Sequence, residues 1–256
     1  MRGLWDRETV ALLLLASVVP LAVTWLLATG TDGLLRLVFV LAAAGFWHLA
    51  FMLAHAQPPS FAGAFTALAV AVLAPVELGL IPMLIGISFG IVAGELAFGG
   101  WGRNVVNPAA VTITFLGFGF PAAPWPDLPV QLGWSVAAVV PIGIVTGVMS
   151  WRVVAAAALV LAAGAYGLSL ETPVLTTASV VLVLLVCDPV ASAATTLGRW
   201  LYGMLYGALV LIFAIGWQGA GPVQAAVSAA LIASLAAPLL DEIAISLWLA
   251  RRKRLG

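Results

Sequence analysis

The sequence predicts an all-α polytopic membrane protein of about ten helices. Three observations carry that expectation. Of 256 residues, 64% are hydrophobic and only 8% are charged, against roughly 25% charged in soluble domains. The apolar runs recur along the whole length with short connections between them, leaving no polar stretch long enough for a separate soluble domain. Two of those runs are cut short by proline-containing polar breaks, a pattern that points to broken helices lining a central site.

Taken in order, the spans fall at 9–28, 35–55, 61–76, 80–98, 109–119, 132–150, 153–168, 174–187, 200–216 and 223–248. The first follows a mixed-charge MRGLWDRE without a basic lead, and reads as a retained helix rather than a cleaved signal. The run ending at Pro121 and the run ending at Asp188-Pro189 are the two short ones. A proline-rich PAAPWPDLP divides the single membrane domain into halves of about 1–125 and 132–256. Each half carries a proline-led apolar helix and an Asx-Pro break, Asn107-Pro108 or Asp188-Pro189, as expected of an inverted repeat. The basic cluster Arg251, Arg252, Lys253 and Arg254 places the C-terminus in the cytoplasm, and an even span count puts the N-terminus beside it.

The first break reads GGWGRNVVNPAA. Asn107 suits a helix N-cap and Pro108 the first helical position. Gly99, Gly100 and Gly102 permit positive φ or close backbone approach. Irregular backbone at membrane depth survives only where protein buries it or a cavity needs it. The stretch is therefore either a capped half-helix and nothing more, or a helix N-terminus facing a polar ligand. Asp188, followed by Ser192, Thr195, Thr196 and Arg199, is either the N-cap of the next helix or an intramembrane functional carboxylate. Glu95 has three readings: a cation or proton site, a partner for Arg103, or an interfacial residue.

His48 and His55 lie on one face of a helix about 10 Å apart and cannot share one haem iron; they read as histidines satisfied by neighbours. The tryptophans, among them Trp5, Trp101, Trp134, Trp151 and Trp248, read as an aromatic belt. Cys187 is the single cysteine, so no internal disulfide or CxxC site exists. The formal net charge of zero gives no support to a nucleic-acid partner. No metal-ligand spacing, P-loop, GxGxxG or catalytic triad stands out.

The two breaks also carry a resemblance. FGGWGRNVVNPAAV resembles the GGLGxNxFNPA signature of the NqrB/RnfD family, membrane subunits of the sodium-pumping NADH:quinone reductase and of the Rnf complex. CDPVASAATTLGRWLYGMLYGALV resembles that family's TDPVxAxxTxRGRxxxGxLxG, and AAPLLDEIAISLWLARRKR its last helix. The likeness spans about 55–256. It implies ten helices in two inverted five-helix halves, shared with urea transporters. It also implies a subunit of an electron-transport complex coupled to ion movement, set in the inner (cytoplasmic) membrane beside other redox subunits.

By the same resemblance, Gly99, Gly100, Gly102, Asn104, Asn107 and Pro108 shape one half of a flavin, quinone or ion site. Asp188, Pro189, Thr196, Gly198 and Arg199 shape the other. The family's lysine-like position before the glycines falls at Glu95 or its neighbours. Flavin-bearing members carry an S-G-A-T-type motif in a long connection between the halves, with FMN on its threonine. Here the connection is FPAAPWPDLPVQLG and no SGAT occurs; Thr172, Thr176 and Thr177 lie in another segment. The expectation is no covalent FMN, with a non-covalent flavin or quinone as the alternative cofactor. A cofactor-free urea-transporter-like channel, or an anchor for a redox partner, are the competing functions.

Overall fold

The computed structural model describes residues 6–55 and 60–255, with side chains described to Ala54 and from Ser60 to Arg252. The expectations placed on Trp5, on the side chain of His55 and on the Lys253 and Arg254 side chains lie outside the described residues. Every described element is helical: α1 (Arg7–Ser17), α2 (Val19–His55), α3 (Ala62–Leu73), α4 (Leu80–Gly94), α5 (Pro108–Gly119), α6 (Val130–Val145), α7 (Trp151–Leu168), α8 (Thr172–Val181), α9 (Thr196–Gly216) and α10 (Pro222–Leu255). Stretches within α2, α7, α9 and α10, and α4 together with the short helical turn after it (Leu80–Phe98), are long and apolar enough to cross a membrane, and the remaining apolar helices are shorter. Leu27, Ile81 and Val145 are each more than 70% exposed, as side chains solvated by lipid rather than water would be. The protein is a multi-pass membrane protein.

The sequence places a loop between the first two spans, at 29–34. The chain instead turns at the single residue Gly30, whose φ of 63° and ψ of −138° interrupt an otherwise continuous α2. Only glycine takes that conformation cheaply, so the polar residues after it, including Asp32, already belong to the next helix. α1 and the first part of α2 together make the first predicted span.

Helix packing follows one pattern twice. α3 packs on α1 and α5, α4 on α2 and α5; likewise α8 packs on α6 and α10, and α9 on α7 and α10. Across the middle, α5 meets α10, and α6 meets α1 and α2. Small residues allow the closest approaches, as is usual where lipid supplies no hydrophobic drive between helices. At Gly203 on α9, a Cβ would collide with the backbone carbonyl of Val153 on α7. Polar side chains add fixed points: Trp47 Nε1 donates to Ser88 Oγ (2.8 Å), joining α2 to α4. The buried Tyr206 Oη donates to the Ala178 carbonyl (2.8 Å), joining α9 to α8.

At Gly203 the obstruction is backbone rather than a flexible side-chain tip. Gly203→Ala must therefore separate α9 from α7, at a cost of about 1–3 kcal/mol. A lowered thermal unfolding midpoint in detergent is the expected result; an unchanged midpoint would show that the two helices part freely.

Candidate functional site

Both breaks begin with the same backbone device. The Glu95 carbonyl accepts from Gly100 N (3.2 Å), and the Leu182 carbonyl from Cys187 N (2.8 Å), each five residues on. Such wide turns loosen a helix end and are frequent at functional positions. In the first break Gly99, Gly100 and Gly102 have φ of 99°, 91° and 97°, the conformations their lack of a side chain allows. Asn104 Oδ1 accepts from Gly102 N (3.1 Å) and its Nδ2 donates to the Val106 carbonyl (3.1 Å). That side chain staples the turn together. Asn107 then caps α5, its Oδ1 accepting from Ala109 N (2.9 Å) and Ala110 N (3.2 Å), with Pro108 at the first helical position.

The other end of the Asn107 amide decides the architecture. Asn107 Nδ2 donates to Asp188 Oδ2 at 3.0 Å, across 81 residues of sequence, with both residues buried. The two breaks thus meet through one side-chain contact. Asp188 Oδ1 accepts from Val190 N (3.0 Å), and the Trp101 indole and Ala191 amide also face this carboxylate. Asp188 is not the N-cap of the following helix. Thr195 fills that role, its Oγ1 accepting from Gly198 N (3.0 Å). Asp241 on α10 supports the cap, accepting from Ala194 N (2.7 Å), Thr195 N (2.8 Å) and Thr195 Oγ1 (2.6 Å).

The remaining predicted site residues lie apart from this contact. Thr196 is exposed and lines a cavity of about 330 Å³ with Trp248 and Arg251. Arg199 donates from Nε to the Ala193 carbonyl (3.1 Å) and lines a second cavity, with Arg152. Among the described residues no three His, Cys, Asp or Glu side chains converge as a metal cage would require.

Glu95 does not pair with Arg103 and is not interfacial. It is fully buried, and neither carboxylate oxygen has a hydrogen-bond partner. The Trp101 amide faces it without reaching hydrogen-bond geometry. Its other neighbour is His48, whose Nε2 stands 3.9 Å from Glu95 Oε1 and is itself buried and unpartnered. The expectation that His48 is satisfied by its surroundings fails because the ring points into the packed end of α4 rather than toward a polar surface. Arg7 and Glu8 approach from α1, where Arg7 Nη1 donates to the Trp101 carbonyl (3.1 Å). Trp101 is 4% exposed and serves the junction, not the belt, whereas Trp134 (75%) and Trp248 (56%) sit as belt residues would.

Comparison with known proteins matches residues 5–128 to the model of the NQR2, RnfD, RnfE family. The B subunit of the Na(+)-translocating NADH-quinone reductase of Yersinia pestis is 27% identical over 83% of this chain. The same-named proteins of Pseudomonas paraeruginosa and Klebsiella pneumoniae are each 26% identical, over 81% and 83% of it. The chain is similar to the NQR2, RnfD, RnfE family over residues 5–128. It spans 66% of the length of these relatives. The Yersinia alignment runs over 274 positions, more than the part of this 256-residue chain it covers, so the relative holds internal residues with no counterpart here.

The geometry of the junction makes stability the first thing to measure. Asn107→Ala removes a cap, worth about 1 kcal/mol, and leaves a buried carboxylate oxygen unmatched, at about 1–3 kcal/mol. Combined with Asp188→Ala in a double-mutant cycle of unfolding free energies, it should show coupling of about 1 kcal/mol or more; additive losses would mean that the two breaks are held independently. Glu95→Gln keeps the shape of a buried, unpartnered group while removing a charge that faces Asp188 and Glu8. It should raise the unfolding midpoint. A fall would show that the carboxylate is held by His48 as an attractive ion pair.

Proposed function

We propose that this protein is a membrane subunit of an electron-transport complex like those of its relatives, supporting electron transfer coupled to ion movement. The observation that carries the reading is the Asn107–Asp188 contact, which gathers both family-like motifs at one buried junction. The two halves, 1–125 and 132–256, are read as inverted repeats, and the twice-used packing pattern supports this. On that pattern α3 corresponds to α8, so Ala74-Pro75 is the counterpart of Asp188-Pro189.

A flavin or quinone held without a covalent bond is the cofactor this reading favours. The buried Glu95 carboxylate and Tyr202 hydroxyl, both without hydrogen-bond partners, supply polar groups near the breaks for such a ring system. The α5 N-terminus would favour a ligand atom carrying negative charge. The connector between the halves contains no threonine, so a flavin phosphoester of the S-G-A-T type has no attachment point there. Other subunits of the complex would supply the donor and acceptor.

Charge distribution supports an orientation in the inner membrane. Arg7, Arg103, Arg152 and Arg199 all stand at the end of the molecule that holds the breaks. Asp32, Glu77 and Asp127 line a cavity of about 580 Å³ at the other, beside the proline-rich connector. By the positive-inside rule the break-bearing end faces the cytoplasm, with both termini.

The test is the visible absorbance of the purified protein before and after acid extraction. The expected result is a flavin spectrum that leaves with the acid-soluble fraction, or a quinone in the lipid extract. A colourless, quinone-free protein that conducts a small solute in liposomes would establish the channel alternative.

A further inference from the structure

Between the α6–α7 connection and the second break lies a cavity of about 360 Å³ that the reading above does not use. Arg152 and Arg199 both line it, together with Ser150, Ser192, Cys187 and Trp151. No carboxylate is among its lining residues. Two guanidinium groups brought to one concave, low-dielectric site repel each other unless an anion stands between them. Neither arginine forms a salt bridge among the described residues: Arg199 donates from Nε to the Ala193 carbonyl, with Asp241 as its electrostatic neighbour, and Arg152 stacks its guanidinium over the Trp151 ring at 5.0 Å.

Three further features point the same way. Ser150 is the N-cap residue of α7, yet its side chain caps nothing. Its Oγ is buried without a hydrogen-bond partner while lining this cavity. The α7 N-terminus, 18 residues of helix behind it, therefore presents uncapped first-turn amides at the same place, where the helix dipole favours negative charge. Guanidinium forks, a hydroxyl donor and free amides are together the donor set that recognises a phosphate oxyanion.

We propose that this cavity binds a phosphate group, through Arg152, Arg199, Ser150 and the α7 N-terminus. The phosphate reaches it either as the headgroup of an anionic phospholipid or as a soluble phosphate compound. The assignment takes Arg199 from the residues the resemblance placed in the flavin, quinone or ion site, but uses neither Asn107 nor Asp188 nor any redox property.

The experiment uses the full chain, purified and delipidated, in two arms. In the first, the protein is reconstituted in nanodiscs of phosphatidylcholine with or without phosphatidylglycerol, and retained lipid is counted by native mass spectrometry. In the second, inorganic phosphate is titrated in detergent and followed by line broadening of its phosphorus resonance and by thermal stabilisation. Arg152→Gln with Arg199→Gln should weaken binding roughly tenfold or more in whichever arm responds. Arg251→Gln, on the separate cavity with Thr196, should leave it unchanged. Lysine at both positions keeps the charge but not the fork, and should bind with intermediate strength. Because it preserves the charges, it serves as the folded comparison where the glutamine pair fails to fold, with Ser150→Ala as the single-donor variant. Response in the lipid arm alone identifies a headgroup, and in the phosphate arm alone a soluble ligand. No response in either arm, or equal binding by the wild type, the lysine pair and Ser150→Ala, overturns the proposal.

Discussion

The hydrogen bond from Asn107 to Asp188 is the constraint on which the rest of the molecule is arranged. A membrane offers no water to irregular backbone, so each unwound segment must find protein partners for its amides and carbonyls. Both breaks solve most of that problem locally, through wide turns, the Asn104 staple and the Asn107 cap. What local bonds cannot do is fix one break against the other. Asn107 can, because one end of its amide group caps α5 while the other reaches the opposite break. Asp188 answers with one oxygen to Asn107 and one to its own loop. An amide and a carboxylate suit this because each carries two polar atoms on separate branches, so one serves its own segment while the other reaches across, a span the single oxygen of a hydroxyl covers less well.

The parts legible in the sequence are those whose physics is local. Glycines at 99, 100 and 102 announce positive φ, and Asn107-Pro108 announces a helix start, because each effect is decided within a few residues. The apolar runs likewise mark the helices, since lipid tolerates little else. The contacts that make a site are another matter. Nothing near Asn107 names Asp188, 81 residues on, as its partner. Asp241 stands in the last helix yet supports the start of α9, whose cap is Thr195 rather than Asp188. His48 meets Glu95 for the same reason: helix packing, not spacing along either helix, sets the 3.9 Å between them. At Gly30 the sequence shows the break but not its economy, because a polar GTDG looks like a loop while one residue suffices to turn the chain.

Of the buried groups left without partners, Glu95, His48 and Tyr202 lie around the junction, while Arg36, Thr114, Ser150 and Ser228 carry others elsewhere. Other interior polar atoms are satisfied, as Tyr206 on Ala178 and Thr112 on the Pro108 carbonyl show. An unmatched carboxylate at full burial is expensive, and structures retain such costs mostly where function gives a reason. Glu95 is the one carboxylate among those groups, and it stands where the backbone is already loosened by a wide turn.

Charge follows the same division of the molecule. The end with the breaks carries arginines on α1, the first break, α7 and α9 beside the carboxylates of Glu8, Asp188 and Asp241, while the far end carries carboxylates around the connector. Arg36 stands among the latter, its Nη2 committed to the carbonyls of Ala74 and Pro75, where α3 stops short. That pairing does at one end of the molecule what Asp241 does at the other. In each case a charged side chain from a neighbouring helix satisfies backbone at a helix end. Several charges of this sparsely charged chain thus hold backbone at helix ends. Glu95 and Arg152 are not spent in that way, and each is free to meet something the chain itself does not supply.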